Sequence, residues 1–287
     1  MQVREKDFGN KFLSHIREVD SIIEVVRCFE DSNITHVDGN IDPIRDIETI
    51  NVELVLADIE TVDKKIERAT KMLKGDKKYK AELDVLEKIK NVLNEGKPAR
   101  TISFSEEEKE LLKETFLLTL KPILYVTNVS EQDITNIENN IYVKNVQEHA
   151  KKENAETVIL SAKIEEELTV LNEEDKKEML KELGLNESGL DKLVKASYKL
   201  LGLISFLTAG EPEVRAWTIK NGTKAPGAAG AIHTDFERGF IKAEVISYDE
   251  LITIGSIVKA KEKGMVRFEG KEYVVKDGDV ILFKFNV

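Results

Sequence analysis

The sequence has 287 residues, of which 34% are charged and 41% hydrophobic, and 54 Asp and Glu against 43 Lys and Arg give a formal net charge of −11. This balance excludes a generally basic protein, so nucleic-acid contact requires a local basic face and no DNA partner is expected. The single cysteine, Cys28, excludes an intramolecular disulfide, and no apolar run approaches the roughly 20 residues that span a bilayer. We therefore expect a cytoplasmic protein without a membrane partner.

The first predicted elements are a helix, a strand and a turn. Apolar residues at helical spacing predict a helix over Asn10–Asp20, and the β-branched run SIIEVVRCFE predicts a buried strand over Ser21–Glu30. The Asp, Asn and Gly residues of Thr35–Pro43 predict a turn. Asp42 followed by Pro43 is typical of a helix N-cap and the first helical position.

Two long helices follow, joined by a short basic turn. Apolar residues recur every three or four positions as far as Leu73, and the same pattern resumes at Leu83. The segment Gly75–Lys80 interrupts the pattern, and the second helix ends at Gly96. This arrangement predicts an antiparallel helical hairpin, with coiled-coil-like packing, over residues 55–97.

The segment after Pro98 alternates helices and strands. A serine followed three residues later by a glutamate predicts a capped helix at the start of Ser103–Glu114. A strand over Lys121–Glu131, a helix over Ile134–Lys152 and a strand over Glu156–Lys163 come next. This succession predicts a parallel sheet, and ligands of such sheets bind outside the carboxyl ends of the strands.

The chain changes character again at about Leu203. From there it consists of short strands separated by Gly and Asp-Gly turns, with one helix-like stretch over Ala225–Gly239. We therefore predict a separate C-terminal α+β domain with a curled sheet.

Several stretches of this sequence resemble one family, the YchF-type Obg-like ATPases. They are GNKFLSHIREVD (Gly9–Asp20), VVRCFED (Val25–Asp31), DPIRDIETIN (Asp42–Asn51), TNVSE (Thr127–Glu131), FLTAGEPEVRAWTIKNGTKAPGAAGAIHTDFERGFIKAEVISYDEL (Phe206–Leu251) and DGDVILFKFNV (Asp277–Val287). The resemblance implies an α/β fold, in which a partial P-loop nucleoside-triphosphatase domain with a parallel sheet and a helical-hairpin insertion precedes a ubiquitin-like α+β TGS domain. The implied boundaries are 1–54 and 98–202 for the nucleotide-binding domain, 55–97 for the hairpin and 203–287 for the TGS domain.

One expected motif of the family is missing from the sequence. No G-x-x-x-x-G-K-[ST] loop occurs, and this loop supplies backbone N–H groups and a lysine to nucleotide phosphates. The family uses ATP or GTP with Mg²⁺, but its magnesium ligands precede the position of Gly9. Gly9 and Asn10 are the last trace of the family's second switch and are expected to start a helix. We therefore expect no catalytic residues and no hydrolysis by this chain alone, whether it is a fragment, a mis-assigned gene start or a natural truncation.

Two loops are candidate contacts to a purine base. Guanine-specific relatives carry N-K-x-D after this strand, where the chain has N-V-S-E from Asn128 to Glu131. A longer carboxylate cannot keep the bidentate distance of Asp to guanine, so the resemblance implies relaxed or adenine-leaning specificity, with Asn128 and the Val129 backbone at the base. Ser161 and Ala162, in the S-A-K loop after the next strand, resemble the second base loop. The alternatives are that Asn128 caps the following helix or turn and that Ser161 caps the following helix.

Basic residues of the predicted TGS domain form a candidate partner-binding surface. They include Arg215, Lys220, Lys224 and Arg238. Trp217 alternates with Arg215 along a predicted strand, so the two side chains share a face. The resemblance implies that this surface meets RNA or the ribosome, whereas the alternative is a solvated charged face. The lysine-rich tip of the hairpin is a second candidate contact with the same alternative.

Two functional hypotheses follow from the sequence. The first is a ribosome-associated ATPase of the YchF type that binds a purine nucleotide, present here without its phosphate loop. The second is a non-catalytic module that binds the ribosome or another RNA–protein partner through the hairpin and the TGS domain. The four histidines have no metal-ligand spacing and are expected to be structural, and Cys28 is expected to be a small core residue.

Overall fold

A computed structural model describes residues 13–35, 39–210 and 213–286. The chain divides between Ser197 and Tyr198 into an N-terminal and a C-terminal unit. Among the described residues, no helix is both long enough and apolar enough to cross a membrane. The finer domain boundaries at residues 55, 98 and 203 remain predictions.

The N-terminal unit contains a three-stranded parallel sheet. Its strands are β1 (Ile22–Arg27), β2 (Ile123–Asn128) and β3 (Glu156–Leu160), in the order β1-β2-β3. Strand β2 is central, and its aliphatic and β-branched residues are buried on both faces, as is typical of a parallel sheet. The predicted parallel sheet is therefore confirmed.

The helices of the N-terminal unit come before, between and after these strands. In chain order they are α1 (13–18), α2 (Pro43–Leu73), α3 (Tyr79–Asn94), α4 (Glu106–Leu112), α5 (Ile141–Lys152), α6 (Ala162–Thr169), α7 (Glu173–Glu182) and α8 (Gly189–Leu200), the last of which crosses the boundary between the units. Short 3₁₀ turns occupy Ala99–Thr101, Asp133–Thr135 and Ile137–Asn139.

Helices α2 and α3 form the predicted hairpin. Helix α2 begins after Asp42, whose carboxylate accepts hydrogen bonds from the N–H groups of Ile44 and Arg45, and Pro43 is the first helical residue. One stripe of aliphatic residues on each helix is buried in a shared core with the segment that follows. This core includes Val55, Val62, Val85, Ile89, Leu93 and Leu112. Burial of these stripes explains why the helical spacing of the sequence identifies both elements.

The second core of the N-terminal unit lies between the sheet and helix α5. Apolar side chains from both are buried there together with the start of α2 and part of α6. They include Val26, Cys28, Ile47, Tyr125, Val143, Val146 and Ile164. This packing fixes the strands whose carboxyl ends carry the candidate base loops.

Two predicted helix starts are wrong by several residues. The helix expected from Ile134 begins only at Ile141, because Asn140 is the N-cap and accepts a hydrogen bond from the N–H of Val143, and two 3₁₀ turns come before it. The capping box of α4 uses Ser105 and Glu108, not Ser103, since these two residues bond reciprocally to each other's backbone N–H.

The C-terminal unit is a five-stranded mixed sheet with four helices. Its strands are β4 (Leu203–Ala209), β5 (Val214–Lys220), β6 (Phe240–Ser247), β7 (Arg267–Glu269) and β8 (Asp279–Phe285), in the order β5-β4-β8-β6-β7. Its helices are α9 (Ala225–Ile232), α10 (Thr234–Arg238), α11 (Tyr248–Ile254) and α12 (Ile257–Glu262). Strands β4 and β8 are parallel and the other pairs are antiparallel. The predicted α+β domain is present.

The helix-like stretch Ala225–Gly239 consists of two helices. Helix α9 ends at Ile232 because His233 has an extended backbone, with φ −160° and ψ 143°. The Nδ1 atom of His233 then accepts a hydrogen bond from the N–H of Asp235 at 3.2 Å and caps α10. Both helices pack with Phe206, Phe283 and their neighbours in the core of this unit.

Candidate functional site

The two candidate base loops lie side by side in the structure. Strands β2 and β3 are adjacent and parallel, and their last residues, Asn128 and Leu160, are paired in register. The loop 128–131 and the loop 161–163 therefore leave the sheet at the same edge, where ligands of parallel sheets bind. The sequence predicted this position for both loops.

A hydrogen bond joins the two loops. Oδ1 of Asn128 accepts a hydrogen bond from the backbone N–H of Ala162 at 2.9 Å. Ala162 is the first residue of helix α6, and the side chain of Ser161, at the N-cap position, makes no capping bond among the described residues. Asn128 therefore accepts the first N–H of the next helix across the sheet edge, while Ser161 occupies the N-cap position, as the alternative expected, without a capping bond from its side chain.

Val129 is part of the core. Its side chain is only 2% exposed, and its backbone N–H donates to the carbonyl oxygen of Leu160 at 2.9 Å. This N–H group continues the hydrogen bonding between β2 and β3 by one residue. A base contact through the Val129 N–H would thus compete with an existing bond, and the predicted contact of the Val129 backbone with the base stays a prediction.

Glu131 and Lys163 form an ion pair between the two loops. Nζ of Lys163 lies 2.6 Å from Oε2 of Glu131, and both side chains are substantially exposed. The hydrogen bond and the charge of Glu131 raise the pKa of Lys163, and the charges of Glu167 and Asp31 add to this effect. No local sequence signal indicates this pair, because a four-residue motif does not show which lysine its carboxylate will meet.

Ser161 lies beneath this edge of the sheet. The residue is 2% exposed, and its hydroxyl oxygen has no hydrogen-bond partner among the described residues. A buried hydroxyl without a partner is uncommon, since it loses its hydrogen bonds to water. The structure thus brings Asn128, Glu131, Ser161 and Ala162 together, as the sequence predicted.

The loop after β1 completes this edge of the sheet. The guanidinium of Arg27 donates to the carbonyl oxygens of Phe29, Asp31 and Ile34 at 3.1–3.4 Å and lies 4.8 Å from the centre of the Phe29 ring. Beside it is a cleft of about 620 Å³, lined by residues of this loop and by Tyr142. The cleft was not predicted from the sequence, because its only local signal is the turn composition of the segment.

The four predicted partner-binding cations are engaged to different degrees. Arg215 stacks on Trp217 at 4.2 Å, which confirms that the two share a face, and Lys224 lies 2.5 Å from Glu272. Nζ of Lys220 donates to the carbonyl oxygen of Leu201 at 3.1 Å, and Arg238 is in the last turn of α10. They lie on one strand, a loop and a helix end, and their binding to a partner stays a prediction.

Lysines at the hairpin tip are partly neutralised by neighbouring carboxylates. Lys78 pairs with Asp76 at 3.0 Å, and Lys80 pairs with Asp84 at 2.6 Å. The side chains of Lys78 and Lys80 remain more than half exposed. The tip is therefore a charged surface with both signs.

The remaining candidate residues have structural surroundings. Cys28 is buried, and burial raises its thiol pKa to about 12, so it is not a reactive thiolate. His149 lies beside Glu153 and Tyr125 in the core, and His233 caps α10. The described residues contain no group of three His, Cys, Asp or Glu that could hold a metal ion. Gly9, Asn10 and His36 lie outside the described residues.

Comparison with known proteins identifies similar chains along nearly the whole length. A family model named YchF-GTPase_C, described as "Protein of unknown function (DUF933)", matches residues 203–286. The chain is 57% identical over 280 residues to the "Ribosome-binding ATPase YchF" of Bacillus subtilis (strain 168), covering 97% of this chain and 76% of that protein. It is 43% identical over 282 residues to the "Obg-like ATPase 1" of Caenorhabditis elegans, covering 97% of this chain and 71% of that protein.

A solved structure has the same fold. The "Structure of the Schizosaccharomyces pombe YchF GTPase" superposes with a TM-score of 0.86 at 38% identity, covering 96% of this chain and 75% of that one. This agreement confirms the predicted combination of a parallel-sheet domain with a C-terminal domain.

Proposed function

This chain belongs to the YchF-type Obg-like ATPase family, and from that premise we propose that it supplies the purine-base half of an ATP- or GTP-binding site. The residues assigned to the base are Asn128, Val129 and Glu131 of the first loop and Ser161 and Ala162 of the second. We place the protein in the cytoplasm, because its relatives are named ribosome-binding.

One observation carries this proposal: the hydrogen bond from the Ala162 N–H to Oδ1 of Asn128. It joins the two loops at the carboxyl edge of adjacent parallel strands, through a nitrogen and an oxygen atom that are 2.9 Å apart. It also orients the amide of Asn128, because with Oδ1 directed at Ala162 the Nδ2 group is directed elsewhere. A purine ring nitrogen is a suitable acceptor for that group.

Binding of the nucleotide phosphates requires other residues than binding of the base. The sequence contains no G-x-x-x-x-G-K-[ST] loop, and the described residues offer no carboxylate cluster for Mg²⁺. Phosphoryl transfer depends almost wholly on positioning and charge neutralisation of the phosphates. The residues present therefore do not fit Mg²⁺-dependent hydrolysis, and we propose that this chain alone does not hydrolyse ATP or GTP.

Two measurements test the base site and the lack of hydrolysis. Fluorescent ATP analogues should bind the chain weakly, and Asn128→Ala should weaken binding further, whereas Asn94→Ala on the hairpin should not. Phosphate release should stay at background. Phosphate release that scales with the amount of chain and persists through a second purification would refute the absence of hydrolysis. Binding of the ATP analogue that is equally strong in Asn128→Ala would refute the base site.

A second candidate function is binding to the ribosome through the hairpin and the C-terminal unit. The charge distribution favours it, because residues 198–287 hold 13 of the 43 Lys and Arg but only 12 of the 54 Asp and Glu. The negative balance thus lies entirely in the rest of the chain, and the C-terminal unit can approach an anionic surface. Co-sedimentation with ribosomes at rising salt tests this, and Arg215→Glu with Lys220→Glu should weaken it.

A further inference from the structure

The groups that would read guanine are already occupied by protein partners. Guanine presents two N–H donors to a carboxylate and a carbonyl oxygen to a backbone N–H. In this site the carboxylate of Glu131 is 2.6 Å from Nζ of Lys163, and the N–H of Ala162 is bonded to Oδ1 of Asn128 at 2.9 Å. A guanine base that engaged both carboxylate oxygens and the Ala162 N–H would have to displace both partners, whereas an adenine base has no N1–H to offer the carboxylate.

The pairing of Lys163 with Glu131 is reinforced by its surroundings. Three carboxylates act on the Lys163 ammonium, and they come from the loop after β1, the loop after β2 and helix α6. These are Asp31, Glu131 and Glu167. Of the three, only Glu131 is in hydrogen-bond contact with Lys163. Glu131 is thus the group that holds the ammonium at the edge of the base site, and the charges of the other two carboxylates add a weaker attraction.

We propose that Lys163 is a specificity-determining residue of this site, which disfavours guanine by holding the carboxylate of Glu131 in an ion pair. This inference rests on the proposed base site. Specificity is a difference between two affinities. A protein partner that guanine must displace, and adenine need not, lowers the affinity for guanine alone. The length of the Glu131 side chain is then not the sole basis of the relaxed or adenine-leaning specificity that the sequence predicts.

The test compares AMP and GMP, whose phosphates are the same. Titrations of the full chain are followed through the backbone amide signals of residues 128–131 and 161–163. The variants are Lys163→Met, Glu131→Gln and the double variant, with Lys97→Met as the matched control, since Lys97 is also an exposed lysine paired with a glutamate. Exposed ion pairs have small energies, so Lys163→Met should raise the GMP-to-AMP affinity ratio by about two- to fivefold.

The double variant decides the cause. If the freed carboxylate accepts guanine, the rise in the GMP-to-AMP affinity ratio caused by Lys163→Met disappears when Glu131 is also changed to Gln. The control variant Lys97→Met should leave this ratio unchanged. A ratio that does not move in Lys163→Met, or that rises equally in the double variant, overturns this inference but not the base site. If neither nucleotide shifts the amides of the two loops, the base site itself is wrong and the inference falls with it.

Discussion

Arg100 and Glu153 form an ion pair inside the N-terminal unit, where Nε of Arg100 donates to Oε2 of Glu153 at 2.9 Å and the two side chains are 7% and 8% exposed. The hydroxyl of Tyr125 donates to the same oxygen at 3.1 Å, and Nη2 of Arg100 donates to Oδ1 of Asn51 at 2.8 Å. Arg100 follows the hairpin, Asn51 lies on its first helix and Tyr125 lies on the central strand. The pair therefore ties the base of the hairpin to the strand that carries the first base loop.

Replacing Arg100 by Met should destabilise the chain strongly. The substitution leaves Glu153 buried without its guanidinium partner, and breaking one side of a buried pair costs about 3–5 kcal/mol. Urea unfolding at pH 7.5 measures the loss. Lys97→Met, which removes an exposed lysine that pairs with Glu95, should leave the urea midpoint unchanged. Adding Glu153→Gln to Arg100→Met should restore part of the stability, and a further loss instead would show that the charge of Glu153 is not the cause.

Glu24 should make the stability depend on pH. It lies opposite Tyr125 in the sheet, and burial raises its pKa to about 7, while the charge of Glu153 raises it and the charges of Arg100 and His149 lower it. The folded chain therefore keeps a proton that the unfolded chain releases near its ordinary pKa of 4.5. As the pH rises from about 4.5 to 7, the free energy of unfolding should fall by about 3 kcal/mol.

The variant Glu24→Gln isolates this effect. It should match the wild type at pH 4, where Glu24 is mostly protonated in both the folded and the unfolded state, and be more stable by about 3 kcal/mol at pH 8. Urea unfolding at both pH values measures the difference. The exposed Glu60→Gln should keep the pH profile of the wild type. If Glu24→Gln also keeps it, Glu24 is ionised throughout this range and the prediction is wrong.

The sequence predicts elements better than contacts between them. The run Ser21–Glu30 indicates β1, and the pair Asp42-Pro43 indicates the start of α2, because burial and capping leave local patterns. The ion pair of Glu131 with Lys163 joins residues 32 positions apart, and the ion pair of Arg100 with Glu153 joins residues 53 apart. Such pairs depend on how the strands and helices are brought together, which no local spacing encodes.

Asp58 should stabilise the packing of the hairpin's first helix against the segment before β2. Its side chain is 0% exposed, and its two oxygens accept hydrogen bonds from the N–H groups of Leu118 and Thr119 and from the Thr119 hydroxyl at 2.7–2.9 Å. Asp58→Ala leaves two buried N–H groups without an acceptor, so it should cost at least about 2 kcal/mol in urea unfolding. Asp63→Ala, on the same helix but half exposed, should cost less than about 1 kcal/mol. Equal losses in the two variants would contradict this assignment.

The C-terminal unit should fold without the rest of the chain. Two apolar clusters of its described residues are formed within the unit: Phe206, Ile281 and Phe283 lie in one, and Ile246 and Val280 lie in the other. Residues 198–287 produced alone should therefore give a dispersed amide spectrum and one cooperative unfolding transition.

Within that fragment Phe283→Ala should cost about 3–5 kcal/mol of unfolding free energy, because it opens a cavity beside Phe206, whose ring centre lies 5.8 Å away. The exposed Phe268→Ala is the matched control and should cost much less. A collapsed spectrum of the unaltered fragment would refute the boundary between Ser197 and Tyr198 as a folding boundary.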